Sequence, residues 1–145
     1  MQTATPPYDP DNIFARIVRG ELPCERLYED AHAIAFMDIM PQSAGHAVVV
    51  PKRAGRNLLD TDPAVLGPLM DAVRKVAQAV KTAMEADGVV VMQFNEAPAG
   101  QTIFHLHVHV LPRYSGADWA PHAGARAEPQ VLAAQAARIR AALEP

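Results

Sequence analysis

The sequence predicts an α+β domain built on a mostly antiparallel sheet of five strands. Segments with helical or alternating apolar patterns follow one another in the order α-β-β-β-α-β-β-α, without the repeated βαβ units of a parallel sheet. The chain has 145 residues, close to the size of one average domain. Half of the residues are apolar and a fifth are charged, as in typical globular proteins. We therefore expect one domain with a sizeable core.

The first half of the chain predicts one short helix and three strands. Ile13, Phe14, Ile17 and Val18 recur at helical spacing, and Gly20 ends the pattern. Three strand-sized apolar segments follow, separated by turn-forming residues, which favours pairing in successive hairpins. These segments are residues 25–28, 33–39 and 45–50.

The second half predicts a long helix, two strands and a C-terminal helix. Apolar residues spaced three and four apart over residues 66–84 indicate a long amphipathic helix. Because proline is unfavourable in a helix interior, Pro68 places the expected start of the main helix near Gly67. The last two strands and the C-terminal helix are predicted over residues 89–95, 104–111 and 129–143.

Charge and cysteine content narrow the classes of partner. Thirteen basic and sixteen acidic residues give a net charge of -3, so the chain lacks the positive field that nucleic acid polymers require. The single Cys24 forms no internal disulfide and supplies no multi-cysteine zinc site. Residues 1–10 lack the pattern of a secretory signal, and no apolar run approaches the ~20 residues that cross a bilayer. We expect a cytoplasmic protein without a membrane or nucleic acid partner.

Three of the six histidines alternate along the last predicted strand, at His105, His107 and His109. Since side chains on a strand alternate between the two faces, the imidazoles are expected on one face, roughly 6.5 to 7 Å apart. The apolar residues between and after them then pack on the opposite face. One face of this strand is therefore predicted to be core and the other to carry chemistry.

Three interpretations of the cluster are open on the residues alone. The histidines can be half-buried polar residues on a solvated sheet face. They can bind zinc, although no acidic residue lies between His105 and Arg113 to add a ligand. Alternatively, the central imidazole is a nucleophile, because a neutral histidine offers a lone pair and a flanking imidazole can pass a proton to a leaving group.

Residues 105–111 read His-Leu-His-Val-His-Val-Leu, which resembles the whole signature of the histidine triad (HIT) family. The resemblance extends over residues 12–115. It includes matching segments, in the family's order, at residues 13–18, 20–23, 36–42, 45–51 and 100–102. The resemblance implies a HIT fold, a five-stranded mainly antiparallel sheet with two main helices, to which this chain adds a C-terminal helix.

The resemblance also implies roles for the histidines. His107 is expected to be the nucleophile that becomes a nucleotidyl-histidine, with His109 beside the scissile phosphate. His105 and His46 are expected to complete a hydrogen-bonded histidine cluster. The implied activity is that of a nucleotide phosphohydrolase or transferase that acts at the α-phosphate of a purine nucleotide.

Further residues are expected to bind the nucleotide. Asp38 would accept hydrogen bonds from the ribose hydroxyls, which suits a carboxylate. The residues implied for the base pocket are Phe14, Phe36 and Ile39. Those implied for phosphate or leaving-group contacts are Asn95, Gln101 and Thr102. Gly100 would let the backbone approach the ligand closely.

The substrate class stays open among phosphoramidates, adenylylated amines and dinucleoside polyphosphates. A nucleotide-binding regulatory protein with incidental turnover and a metal-dependent hydrolase are the alternatives. The resemblance implies a homodimer and no cofactor. Relatives with a zinc site carry Cys-x-x-Cys in the first helix, whereas residues 12–15 here read Asn-Ile-Phe-Ala, so we expect no metal.

The domain is expected over residues 12–115. Residues 1–11 are then an N-terminal extension, and residues 116–145 form a tail with a helix. Trp119 in this tail is expected either to dock the tail or to reach the site.

Overall fold

The computed structural model describes residues 4–118 and 124–144. The predicted elements are all present, and each strand pairs with its neighbours in antiparallel fashion in the order β1-β2-β3-β5-β4. They are α1 (Ile13–Val18), β1 (Arg26–Glu29), β2 (Ala33–Met37), β3 (Ala47–Pro51), α2 (Leu66–Ala83), β4 (Gly88–Met92), β5 (Val108–Arg113) and α3 (Pro129–Leu143). The α+β fold class is confirmed.

The central strands are buried on both faces. Alternate residues of the strands pack against α2 and α3 in one cluster, which includes Val49 of β3 and Val108 of β5. The residues between them form a second cluster with Phe14 and Ile17 of α1. Helices therefore cover both faces of the sheet, and the second face, under α1, carries the triad.

Proline placement explains where α2 begins. A short 3₁₀ turn over Pro63–Val65 leads into α2 at Leu66, one residue from the expected start. Pro68 therefore lies in the first turn, where a backbone N–H has no intrahelical partner to lose. The C-terminal helix buries Leu132, Ala136 and Ile139 in the cluster that α2 shares with the sheet, so the tail helix is part of the main core.

The last strand starts later than predicted. β5 begins at Val108, so of the three triad histidines only His109 lies on a strand, and the prediction that residues 104–107 belong to it is wrong. The N–H of Leu106 donates to the carbonyl of Gly55, in the loop after β3, rather than to a neighbouring strand. Long-range hydrogen bonding thus replaces the regular ladder at this point. Among the described residues, no helix combines the length and apolarity needed to cross a membrane.

Candidate active site

A cavity of about 370 Å³ opens on the α1 side of the sheet. Its walls come from α1, the segment before β1, the end of β2 and the segment before β5. The lining is mostly apolar: Ile13, Phe14, Ile17, Leu22, Pro23, Cys24, Phe36, Met37, Asp38, Ile39, Met40, Val48, Thr102, Ile103, His107 and His109. A cavity of this size and mostly apolar lining, with a few polar groups among the apolar ones, is typical of a small-molecule site.

His107 is held at one ring nitrogen by the main chain. Its Nδ1 lies 2.7 Å from the carbonyl oxygen of His105, and because a carbonyl only accepts, Nδ1 carries the proton. The lone pair of the neutral ring is therefore on Nε2. The edge-to-face contact with Phe14, at 4.9 Å between centroids, further fixes the ring, which is 7% exposed and lines the cavity.

His105 lies behind the cavity wall. It is 1% exposed, and burial lowers the pKa of its imidazole to about 4. Its Nε2 lies 3.1 Å from the carbonyl oxygen of Pro51, while Nδ1 lies 2.9 Å from the hydroxyl of Tyr8. The ring is thus neutral near pH 7 and has a partner at each nitrogen.

His46 and His109 form a hydrogen-bonded pair. The N–H of Gln42 donates to Nδ1 of His46 over 3.1 Å, so neutral His46 carries its proton on Nε2. That nitrogen lies 2.9 Å from Nδ1 of His109. Since Nδ1 of His109 accepts this proton, the neutral His109 ring carries its own proton on Nε2, at the other end of the ring.

The position of His46 beside His109 depends on the conformation of Gly45. Gly45 has φ of +89°, a conformation that residues with a Cβ rarely adopt. A Cβ there would lie 2.6 Å from Cγ of Met84. The glycine therefore allows a tight turn against Met84, just after α2. This turn places the fully buried His46 next to His109.

Asp38 lies at the end of β2 and lines the cavity. One carboxylate oxygen accepts a 2.8 Å hydrogen bond from the N–H of Met40, and the other lies 3.4 Å from Nε2 of His46. The backbone bond fixes the carboxylate beside the histidine pair. The side chain stays 19% exposed, so it is accessible from the cavity.

The three side chains predicted for the base pocket all line the cavity. Phe14 and Phe36 meet edge to face at 5.3 Å between centroids and are both buried. Ile39 is 47% exposed and forms part of the rim. Strand register explains their position, since Phe36 pairs with Val48 and Val48 pairs with His109, which places aromatic wall and imidazole on one row of the sheet.

Of the residues predicted to contact the phosphate or the leaving group, Thr102 lines the cavity, whereas Asn95 and Gln101 do not. Gly100, predicted to let the backbone approach the ligand, is also not among the lining residues. The Gln101 amide is fully engaged within the loop. Its oxygen accepts from Asn57 Nδ2 and from the N–H of Glu96, and its nitrogen donates to the carbonyls of Arg56 and Ile103. Gln101 therefore holds the loop that leads into the triad.

Arg56 braces the same loop and is a residue that the sequence did not single out. Its guanidinium makes a two-pronged contact with the Glu96 carboxylate, with 2.9 Å bonds from both Nε and Nη2, and lies 4.0 Å from the centroid of the Phe104 ring. These hydrogen bonds hold the pKa of Glu96 below its ordinary value. Arg56 and Glu96 are forty residues apart in sequence, and neither lies in a recognisable motif.

One group of side chains has the spacing of a metal site. Among the described residues, ligand atoms of Asp38, His46 and His109 lie within 4.8 Å of one another. However, Nδ1 of His46 accepts the Gln42 N–H, so its Nε2 carries a proton and has no lone pair for a metal in the neutral ring. This tautomer of His46 therefore favours hydrogen bonding among the three side chains over coordination of a metal ion.

Two further residues, Cys24 and Trp119, were named in the sequence analysis, whereas Tyr8 was not. Cys24 lines the cavity, and burial raises the pKa of its thiol, which opposes a nucleophilic role. Trp119 lies outside the described residues. Tyr8, which falls in the expected N-terminal extension, contacts the triad directly.

Comparisons with known proteins show which family the chain resembles. Residues 19–116 match the model of the HIT domain family. A solved Hit-like protein involved in cell-cycle regulation from Bartonella henselae, with an unknown ligand, is 50% identical, has a TM-score of 0.87, and the match covers 93% of this chain and 98% of that one. A hypothetical histidine triad nucleotide-binding protein from Sulfolobus tokodaii is 33% identical, with a TM-score of 0.81 and 90% of each chain covered.

A curated relative, adenylylsulfatase HINT3 from Arabidopsis thaliana, is 38% identical over 103 residues. The alignment covers 71% of this chain and 52% of that relative. The chain therefore spans about half the length of the Arabidopsis protein.

Proposed function

Because the chain belongs to the HIT domain family, we propose that it is a nucleotide phosphohydrolase or transferase that works through a covalent nucleotidyl-His107. The bond cleaved is at the α-phosphate of a purine nucleotide. The observation that carries the proposal is the hydrogen bond from Nδ1 of His107 to the carbonyl of His105, because it sets the lone pair on Nε2 of a ring that lines the cavity.

The first step is attack by His107 on the α-phosphorus. The Nε2 lone pair forms a nitrogen–phosphorus bond while the bond from phosphorus to the leaving group breaks, and the leaving group takes that electron pair. His109 in its protonated form supplies the proton from Nε2, the ring nitrogen opposite the one that contacts His46, and becomes a neutral imidazole. General acid assistance of this kind stabilises the departing oxygen or nitrogen.

The second step releases the nucleotide. Water attacks phosphorus, the nitrogen–phosphorus bond breaks, and its electron pair returns to Nε2 of His107. The proton lost by water goes to Nε2 of His109, which restores the starting state. When another nucleophile takes the place of water, the same cycle is a nucleotidyl transfer.

The residues of the cavity walls support the proposed nucleotide binding. Phe14, Phe36 and Ile39 offer an apolar slot for the base, and a flat aromatic base gains from edge-to-face and stacking contacts. Asp38 accepts hydrogen bonds from the ribose hydroxyls while the N–H of Met40 holds its carboxylate. Thr102, on the cavity wall, contacts the phosphate or the leaving group.

The leaving group is open to nitrogen and oxygen chemistries. Phosphoramidates, adenylylated amines and dinucleoside polyphosphates all place a leaving group on an α-phosphate. The name of the Arabidopsis relative adds adenylyl sulfate to this set. No metal or other cofactor takes part in the steps above.

A homodimer is the proposed assembly. Leu58, Met70 and Val91 are 42–49% exposed and lie together around a shallow apolar depression between α2 and β4. β4 is also an edge strand of the sheet. Pairing with a second copy would cover both the apolar surface and the strand edge.

Transient labelling of the protein tests the mechanism. Adenosine phosphoramidate labelled at phosphorus is mixed rapidly with the protein and quenched into alkaline denaturant, in which a phosphoramidate bond survives. We expect label on the wild-type protein, lost on acid treatment and absent from His107→Gly. Turnover that requires a metal, with no labelled protein, would favour a metal-dependent hydrolase, and nucleotide binding without turnover would favour the regulatory alternative.

A further inference from the structure

Tyr8 precedes α1 and yet contacts the most buried histidine of the triad. Its hydroxyl oxygen lies 2.9 Å from Nδ1 of His105, and the two ring centroids are 5.6 Å apart. The amide nitrogen of Asn12 approaches the same Nδ1 at 3.4 Å. Tyr8 is half-buried, so its contact with His105 is partly shielded from water.

The direction of these hydrogen bonds is set by the carbonyl of Pro51. It accepts from Nε2 of His105 over 3.1 Å, so Nε2 carries the ring proton and Nδ1 carries the lone pair. The Tyr8 hydroxyl therefore donates to Nδ1. Tyr8 and Pro51 together select one tautomer of His105 and fix the plane of its ring.

His105 also orients its neighbour through the main chain. Its carbonyl oxygen accepts the Nδ1 proton of His107, and Phe14 touches both imidazoles, with centroid distances of 6.4 Å to His105 and 4.9 Å to His107. A shift of the His105 backbone therefore moves the acceptor that holds the His107 tautomer.

We propose that Tyr8 is a positioning residue, whose hydroxyl locks His105 and thereby keeps the His107 ring aligned for attack. The proposal goes beyond the nucleophilic role of His107 and rests on it. The N-terminal segment, which the sequence analysis placed outside the domain, then contributes a residue to the site. A purely structural Tyr8 would instead anchor the N-terminal segment without affecting the chemical step.

Tyr8→Phe removes the hydroxyl and keeps the ring. Tyr114→Phe is the matched control, because Tyr114 is also half-buried and its hydroxyl donates to a single carbonyl, that of Met84, over 2.7 Å. With adenosine phosphoramidate, we expect Tyr8→Phe to lower kcat about tenfold, the factor that corresponds to loss of one well-placed hydrogen bond. KM should change less than about twofold, and Tyr114→Phe should retain wild-type kcat.

Imidazole ¹⁵N chemical shifts provide a readout that does not depend on turnover. In Tyr8→Phe, the Nδ1 shift of His105 should change because this nitrogen loses the closer of its two donors, and the Nδ1 shift of His107 should change with it. In Tyr114→Phe both should match the wild type. Thermal unfolding shows whether either variant has lost its fold, and a double variant, Tyr8→Phe with Tyr114→Phe, should reproduce the kcat of Tyr8→Phe alone.

Several results would overturn the proposal. These are an unchanged kcat in Tyr8→Phe, an equal loss in both single variants, or unchanged shifts of the His105 and His107 ring nitrogens. If the wild type turns over no nucleotide, the proposed function fails, but the ¹⁵N shifts still decide whether Tyr8 controls the two imidazoles: coupled changes support the positioning role and unchanged His107 shifts reject it.

Discussion

The Nδ1–H of His107 donates a hydrogen bond to the main-chain carbonyl oxygen of His105, two residues earlier, and Nδ1 lies 2.7 Å from that oxygen. The bond lies just before β5 begins at Val108. It selects one tautomer of a ring that lines the cavity. A neutral imidazole held in this way presents Nε2 as its nucleophilic nitrogen without first losing a proton.

Loss of the His107 imidazole should abolish the covalent route. We expect His107→Asn and His107→Gly to lower kcat by several orders of magnitude while nucleotide affinity stays within a few fold, since the base and ribose contacts come from other residues. Steady-state kinetics and equilibrium binding of a nucleoside monophosphate measure the two effects. His32→Asn, which removes an exposed histidine in the turn before β2, is the control. Near-wild-type turnover by His107→Gly would contradict the mechanism.

Asp38 should contribute to binding through the ribose. We expect Asp38→Ala to weaken nucleotide binding by about 1.5 to 3 kcal/mol, the range for a hydrogen bond to a charged group. With a nucleotide that lacks both ribose hydroxyls, wild type and variant should bind with similar affinity in calorimetry. Asp71→Ala removes an exposed carboxylate on α2 that pairs with Lys75 and should bind like the wild type. An equal loss of affinity for both nucleotides in Asp38→Ala would exclude ribose recognition.

The apolar surface between α2 and β4 should mediate dimer formation. Light scattering over a concentration series should give about twice the chain mass of 15.6 kDa for the wild type. We expect Met70→Glu to shift the protein to the monomer, because a buried unpaired carboxylate is costly in an apolar interface. Val131→Glu places the same charge on α3 at a residue of similar exposure, 46% against 49% for Met70, and should stay dimeric. A monomeric wild type at micromolar concentration would refute this assembly.

The alternating apolar pattern was sufficient to predict the sheet and its two faces. Val108 belongs to the core cluster on the α2 face, whereas His109 faces the α1 side and lines the cavity, as period-2 alternation requires. The pattern did not predict that residues 104–107 leave the strand, because the hydrogen bond of Leu106 to Gly55 joins segments about fifty residues apart. Local sequence carries no signal for such a bond.

The candidate site, like the sheet, could be predicted from the sequence only in part. Residues carried by the HIT resemblance, such as Phe36 and Asp38, line the cavity together with two of the histidines. Gln101, expected at the phosphate, has its amide committed to the loop, an outcome that depends on side chains distant in sequence. Tyr8 stands in a segment without any motif, so only its position in the fold connects it with the triad.

Burial of neutral His105 should make stability depend on pH. Burial lowers the folded-state pKa of this imidazole to about 4, below the pKa of ~6.5 in an unfolded chain. Between these values the unfolded state binds the additional proton, so the free energy of unfolding should fall as pH decreases from about 6.5 to 4. The contribution is complete above pH ~6.5 and is lost on acidification; its upper size is on the order of 3 kcal/mol.

Urea unfolding at pH 7 and pH 5 measures how much His105 contributes to the pH dependence of the free energy of unfolding. His105→Asn removes the titrating group, so its free energy of unfolding, although lower at pH 7, should depend less steeply on pH than that of the wild type. His32→Asn, which removes an exposed histidine, is the control variant. Parallel pH profiles for wild type and His105→Asn would show that His105 is not held neutral by its burial, and the tautomer that Tyr8 and Pro51 select would then lack its physical basis.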